Sequence, residues 1–179
     1  MRGEYTCEEI AESYAYKLLT HCGPDRLNHY TEVCVLEALS DAAKWDLLIK
    51  KQPEIAGDLK GYPLLGVPIS VKDSFNMKGY HTTWGGLARL CGKMGIAESD
   101  CALVAVLRNA GAVVLARGNM PQLALAIESN NDVFGVSRNP LDPERACGGS
   151  SGGDAGMVAA GGCVAADRFI TKYKRAERK

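Results

Sequence analysis

The stretch Leu64-Leu-Gly-Val-Pro-Ile-Ser-Val-Lys-Asp73 is short, apolar and rich in β-branched residues. It predicts a buried β-strand over residues 64–71 that leads directly into a lysine, Lys72. Because side chains alternate along a strand, we expect Ser70 and Lys72 on one face and Val71 on the other. The stretch therefore predicts a sheet, with a lysine at the end of one of its strands.

A second buried strand is predicted over Ala112-Val-Val-Leu-Ala116, directly after a helix that Ser99 caps and Gly111 ends. The residues that this helix is predicted to bury are Ala102, Leu103, Val106, Leu107 and Ala110. Helices that alternate with apolar strands are typical of α/β proteins. The sequence therefore predicts an α/β fold with α/β/α layers around a largely parallel sheet.

Two helices are predicted before the first strand. Thr6-Cys-Glu-Glu9 has the form of a capping box, so the first helix runs from there to about Cys22, where Gly23-Pro24 ends it. The second helix covers about residues 33–50, and Pro53 closes it. Its predicted apolar stripe consists of Val35, Leu36, Leu39, Ala43, Leu47 and Leu48.

The other segments are predicted from their turn residues and short apolar runs. Residues 76–79 are predicted to form a turn, and residues 121–128 a short helix. Residues 134–143 contain glycine and two prolines, which predicts a loop. A further helix is predicted to begin at Ala155 and reach Ala160.

Composition limits the classes of function. The 179 residues fit one domain, and 21 basic against 21 acidic residues give no reason to expect nucleic acid or an acidic membrane as a partner. No apolar run approaches the roughly 20 residues of a membrane-spanning helix, and no signal peptide begins the chain. The seven cysteines form no C-x-x-C pair, which predicts reduced thiols and a cytoplasmic protein. Three histidines lack metal-ligand spacing, so no metal site is predicted.

Two serines stand between paired glycines in Gly148-Gly-Ser-Ser-Gly-Gly153. Glycines let a backbone approach other groups closely, so this loop can hold a hydroxyl in an unusual geometry. A serine needs a base to remove its proton, and Lys72 serves as one only when burial favours its neutral form. Other interpretations remain open: a surface ion pair of Lys72 with Asp73, a flexible connector, or a phosphate-binding loop.

Five motifs that occur together, in a particular order and at particular spacings, decide between these interpretations. Besides 64–73 and 148–153, they are Ser99-Asp-Cys-Ala-Leu-Val-Ala-Val-Leu-Arg-Asn-Ala-Gly-Ala112, Gly118-Asn-Met-Pro-Gln122, and Phe134-Gly135 with Asn139-Pro140. From about residue 28 to residue 163, the chain resembles the amidase signature family. Its Ser-Asp-Cys and Asn-Met-Pro-Gln elements look more like the fatty acid amide hydrolase branch than the amide-transfer branch.

The resemblance implies a large mixed sheet between helices and hydrolysis of linear amides by a Ser–Ser–Lys triad, without cofactor or metal. Lys72 would be the neutral base and Ser150 the relay serine, its peptide bond cis. Ser151 would support the network through hydrogen bonds, and Gly149 and Gly152 would shape the loop. The relay would pass a proton from the nucleophile through Ser150 to Lys72, and later to the leaving amine.

The family's nucleophilic serine and its oxyanion turn have no match in this sequence. Their position falls near Lys174, within a stretch from Asp167 to Lys179 that contains no serine and no glycine. Thr171 lacks a glycine-rich turn, and Cys163 lies ahead of the nucleophile's position, where a core role is expected. We therefore expect a partial amidase-signature domain over 1–166, without activity of its own.

Residues 167–179 are predicted to form a separate, disordered basic tail, since 168–179 hold six basic residues and one acid. Nothing in the tail supports contact with a membrane surface or nucleic acid. We expect the missing strands to leave a sheet edge exposed, through which the chain could form homo-oligomers or dock on a full-length relative as a non-catalytic module. A third hypothesis is that the complete gene product continues and is an active enzyme.

Overall fold

A computed structural model describes residues 5–91 and 96–166, with the side chain of Leu90 left aside. The predicted tail therefore lies outside the described residues. The helices are α1 (Cys7–His21), α2 (Val35–Lys51), α3 (Leu87–Cys91), α4 (Ala102–Asn109) and α5 (Gly152–Ala159). The strands are β1 (Tyr30–Val33), β2 (Pro68–Lys72), β3 (Val113–Gly118), β4 (Arg138–Asn139), β5 (Asp142–Ala146) and β6 (Ala165–Ala166).

Four strands form the central sheet, in the order β1-β3-β2-β6. The β2–β3 and β2–β6 pairs are parallel, whereas β1 runs antiparallel to β3. A separate two-stranded sheet consists of β4 and β5. The central sheet is mixed and mostly parallel, which confirms the predicted α/β fold class.

Helices cover both faces of this sheet. Ile69 and Val71 of β2 pack with Val104 of α4, whereas Ser70 and Lys72 point to α5 and the loop before it. On the β3 strand, alternate side chains pack against α1 and α2. No helix among residues 5–91 and 96–166 combines the length and the apolar character that a membrane crossing requires.

The first helix forms as predicted. The Thr6 hydroxyl accepts a hydrogen bond from the Glu9 amide, and the Glu9 carboxylate accepts one from the Thr6 amide, which completes the capping box. Asp46 of α2 adds a second anchor, because its carboxylate accepts hydrogen bonds from the Cys7 and Glu8 amides. Hydrogen bonds from the backbone amides at the start of α1 therefore link this helix to α2.

The predicted apolar stripes of α2 and α4 are wrong in part. Leu36 of α2 is 87% exposed, and Leu47, Leu103 and Val106 are also exposed. Small side chains are buried instead between α1 and α2: Ala11, Ala15, Ala38 and Ala42. Two helices whose contact residues are small can approach each other closely, so this interface buries alanines and leaves larger side chains outside.

Three segments differ from their predicted structure. Between Pro121 and Glu128, the only helical part is a short 3₁₀ turn at Gln122–Ala124. The predicted loop 134–143 contains β4 and the start of β5. Strand β1 was not predicted, and the first predicted strand begins at Pro68 rather than Leu64, because residues 64–66 form turns.

Candidate active site

Strand β2 places Lys72 in the interior of the protein. All five residues of β2 are buried, and the Lys72 side chain is only 1% exposed. Its Nζ atom donates a hydrogen bond of 2.8 Å to Oγ of Ser150, a residue 78 positions later in the chain. The two side chains that the sequence singled out are therefore in direct contact, in a buried site.

The alternative in which Lys72 forms a surface ion pair with Asp73 is wrong. Asp73 is buried, and its carboxylate lies 3.2 Å from the Arg117 guanidinium. The same carboxylate accepts hydrogen bonds from the Thr83 amide, at 3.1 Å, and from the Thr83 hydroxyl. The Asp73 carboxylate thus has Arg117 as its cation and Thr83 as its hydrogen-bond donor.

The loop 148–153 is held firmly rather than flexible. Gly148 has a φ of +77°, and the peptide bond between Gly149 and Ser150 is cis, the geometry that the resemblance implies for a relay serine. The Ser129 amide donates to the Gly148 carbonyl at 2.9 Å, and the Ser129 hydroxyl accepts from the Gly152 amide at 2.8 Å. The flexible-connector interpretation is therefore wrong.

Two glycines of the loop leave room for Ser129. A Cβ at Gly149 would lie 3.1 Å from the Ser129 amide nitrogen, and a Cβ at Gly152 would lie 2.5 Å from the Ser129 hydroxyl. A side chain at Gly152 would therefore displace Ser129 and break the hydrogen bond that fixes the loop. Sequence reasoning missed Ser129, because nothing local marks a serine whose partners lie some 20 residues later.

Helix α5 begins inside the loop, with Ser151 as its N-cap residue. Ser150 is 3% exposed and Ser151 is also buried. The resemblance implies hydrogen bonds from Ser151, but its hydroxyl makes none with the residues that the structure describes. The helix therefore places both hydroxyls in the interior, of which that of Ser150 contacts the lysine.

Ser70 and Asp154 form a second polar contact on the same face of β2. The Ser70 hydroxyl donates to Oδ1 of Asp154 at 2.8 Å, and both side chains are fully buried. The sequence placed Ser70 beside Lys72 but gave no sign of Asp154, whose position depends on how α5 docks. The site is thus a buried polar cluster, larger than the predicted pair.

Cys163 is a core residue rather than a nucleophile. Its side chain lies among Leu18, Cys22 and Met157, with Sγ 3.7 Å from Oγ of Ser70. Burial raises the pKa of the Cys163 thiol to about 12, so the thiolate does not form near neutral pH. The alternative nucleophile, Thr171, lies outside the described part of the chain.

His29 supports α5 from the side of its glycines. A side chain at Gly156 would overlap the His29 ring, and Nε2 of that ring lies 2.7 Å from the Arg138 carbonyl oxygen. Burial lowers the pKa of His29 below 6.5, because a charged imidazolium would lose its hydration there. The ring is therefore neutral at pH 7 and acts as a structural spacer.

We expect the stability of the protein to fall when the pH drops through the ordinary pKa of histidine. Below pH 6.5 the unfolded chain binds a proton at His29 that the folded chain still excludes, which costs up to about 1.4 kcal/mol per pH unit. Urea unfolding between pH 7.5 and 5 should show a smaller slope in His29→Gln than in the wild type. His21→Gln, a change at an exposed histidine, is the control, and equal slopes for the wild type and His29→Gln would contradict the prediction.

Comparison with known proteins agrees with this fold. The family model described as Amidase matches residues 22–167. Amidase 1 of Gibberella moniliformis is 44% identical over 139 residues, which are 78% of this chain and 25% of that protein. Fatty-acid amide hydrolase 2-B of Danio rerio is 38% identical over 164 residues, which are 91% of this chain and 30% of that protein.

A solved structure of fatty acid amide hydrolase superposes with a TM-score of 0.79 and 28% identity, over 90% of this chain and 26% of that one. The chain therefore spans a quarter to a third of the length of these three proteins. The family model covers most of the chain, and the relatives share its fold. We conclude that this chain belongs to the amidase family, the amidase signature enzymes.

Proposed function

We propose that this chain supplies the base and the proton relay of a hydrolase of linear amides. Lys72 is the base, Ser150 the relay, and Ser151 a supporting residue beside the glycines that shape the loop, Gly149 and Gly152. The observation that carries the proposal is the 2.8 Å contact between the Lys72 amine and the Ser150 hydroxyl, in a buried site. An amine and a hydroxyl at this distance can exchange a proton directly.

The proposed reaction uses this pair twice. The nucleophilic serine, which no motif of residues 1–179 supplies, gives its proton to Oγ of Ser150 while Ser150 gives its own to the neutral Lys72 amine. The serine oxygen then attacks the amide carbon. The proton then returns along the same path to the leaving nitrogen as the C–N bond breaks, which leaves an acyl-enzyme for water to hydrolyse. Lys72 and Ser150 end in their initial protonation states.

An apolar acyl group is the substrate class that the surface near the loop supports. Three apolar side chains on the segment 123–127 are exposed, and Leu125 is 83% exposed; we call Leu123, Leu125 and Ile127 the apolar strip. The next residues of this segment lie against the loop, since a Cβ at Gly149 would be 3.1 Å from the Glu128 carbonyl carbon. Relatives that are fatty-acid amide hydrolases favour the same class.

We propose the domain limits 1–166 and 167–179, which the family match to 22–167 supports at the first domain's end.

All seven cysteines are free thiols, which supports a reducing compartment such as the cytoplasm. A small-molecule amide is the proposed partner. The outer edge of β6, which pairs only with β2 among the described strands, is the proposed surface for docking or for a homo-oligomer.

A polypeptide of residues 1–179 contains no serine after Ser151. We therefore expect it to show no covalent labelling by a fluorophosphonate probe of serine hydrolases, at probe concentrations that label Amidase 1 fully. Labelling that is lost in Lys72→Ala would contradict this expectation, because it would reveal a working nucleophile. An unlabelled chain that captures a full-length relative in a pull-down would support the alternative, a non-catalytic binding module.

A further inference from the structure

Asp154 is a buried carboxylate to which the proposed reaction gives no task. It stands in the first turn of α5, is fully buried, and accepts a hydrogen bond of 2.8 Å from the Ser70 hydroxyl. Burying a carboxylate is costly unless donors or an opposite charge compensate for its lost hydration. The position of Asp154 therefore calls for a physical reason.

Gly118 shows where the carboxylate lies. A Cβ at Gly118 would overlap both carboxylate oxygens and Cγ of Asp154. The φ of Gly118 is outside the left-handed region, so glycine is needed here for space and not for its backbone conformation. In the parallel pairing of β2 with β3, Gly118 is the partner of Lys72. The Asp154 carboxylate thus lies over Gly118, the residue that neighbours Lys72 in the sheet.

Strand alternation gives a second, independent placement. Ser70 and Lys72 lie two residues apart on the same face of β2, and α5 with its loop reaches both. Ser150 contacts Lys72 and Asp154 contacts Ser70, so the first turn of α5 lies along this strand. Asp154 is therefore held from two sides next to the lysine that the proposed reaction uses as its base.

Asp154 supplies the negative charge on the face of β2 that carries Ser70 and Lys72, because the neighbouring ionisable groups are either paired or uncharged. Asp73 is engaged with a guanidinium and with threonine donors of its own. Burial raises the pKa of the Cys163 thiol to about 12 and that of Cys22 to about 11, so both stay protonated. Burial also lowers the pKa of His29 and keeps its ring neutral. Three further titratable groups pack against β2, α5 or the loop before it: Cys34, Tyr30 and Cys147. Burial raises the pKa of Cys34 to about 12, that of Cys147 to about 11 and that of Tyr30 above its usual value, so these groups also stay uncharged near neutral pH.

We propose that Asp154 is a positioning residue that acts through Lys72, by supplying the negative charge against which the lysine amine gains and loses its proton. The inference rests on the proposed role of Lys72 as the base. An opposite charge within about 4–6 Å favours the charged form of an amine by about 1–3 pH units. Asp154 thereby sets the pH above which Lys72 becomes neutral and able to accept a proton from Ser150.

The test is an NMR titration of the 179-residue chain labelled with ¹³C at the lysine Cε, in which Lys72→Met identifies the Lys72 signal. In Asp154→Asn, which keeps an oxygen to accept from Ser70, we expect the titration midpoint of Lys72 to fall by about one pH unit or more. Asp132→Asn, the same change at an exposed carboxylate, should leave the midpoint in place. An unchanged midpoint in a folded Asp154→Asn chain would overturn the proposal.

A second measurement covers the case in which Asp154→Asn does not fold. In the unsubstituted chain labelled at aspartate Cγ, the Asp154 signal should inflect at the pH where Lys72 titrates, and Lys72→Met should remove that inflection. The absence of a shared inflection would equally overturn the proposal. Neither measurement needs hydrolysis, so a chain that fails as an amidase still reports on the Asp154–Lys72 coupling.

Discussion

Substitution of Lys72 is expected to abolish amide hydrolysis in a chimaeric amidase whose proposed base and relay come from this chain. The experiment replaces the segment of Amidase 1 that aligns with residues 22–167 of this chain, the range of the family match, by those residues and measures hydrolysis of a linear acyl amide. The two proteins are 44% identical over 139 residues. Lys72→Ala and Ser150→Ala should each lower kcat by about a thousandfold or more, because each breaks the proton path. The double variant should be no slower than the slower single one, since the two residues act as a unit.

The control for this experiment is Lys60→Ala, which removes an exposed lysine and should keep kcat within about twofold. A folded chimaera that hydrolyses the amide equally well with and without Lys72 would disprove the assignment of the base. A folded but inactive unsubstituted chimaera would show that this chain does not supply a competent base and relay. Circular dichroism and the melting temperature distinguish these outcomes from misfolding.

Gly153→Ala is expected to destabilise the fold severely, although it adds a single methyl group. The added Cβ would lie 2.6 Å from the Asn119 carbonyl oxygen and closer still to the Asn119 amide and the His29 carbonyl. These are backbone atoms of the residue before β1 and of the residue after β3, which cannot move aside as a side chain does. The expected loss is about 3 kcal/mol or more, a large part of the stability of a domain of this size.

Gly57→Ala is the matched control for this substitution. No atom lies within 4 Å of a Cβ at Gly57, and its φ is outside the left-handed region, so the change should alter stability by about 0.5 kcal/mol at most. Urea unfolding followed by far-UV circular dichroism compares the two variants. Similar unfolding midpoints would refute the close approach of α5 to His29 and Asn119.

The sequence predicted those parts of the fold that local rules determine. The capping box at Thr6 and Glu9 and the apolar run of β3 depend on neighbours in the chain, and both form as expected. Strand β1 escaped prediction because Tyr30–Val33 is short and includes a glutamate, so only its pairing with β3 makes it a strand. The contribution of tertiary pairing cannot be derived from a four-residue segment.

The same limit explains which residues of the candidate site could be predicted from the sequence and which could not. Lys72 and Ser150 were identified because their motifs are distinctive, and strand alternation correctly placed Ser70 beside Lys72. Ser129 and Asp154 were missed, since each is defined by a partner more than 20 residues away. Burial of small alanines between α1 and α2 was missed for a related reason, because hydrophobicity patterns favour large side chains over close helix contacts.

In the proposed hydrolase, the anchoring of the loop by Ser129 would affect how the substrate range can evolve. Ser129 belongs to the same loop segment as the apolar strip, two residues after Ile127, and also holds the Gly148 carbonyl and the Gly152 amide. The side chains of the strip point outward, so in the proposed hydrolase mutations there would vary the acyl preference while the backbone keeps its course. An insertion or deletion between residues 127 and 129 would instead move Ser150, the proposed relay, so that the selectivity and turnover of the proposed hydrolase would change together.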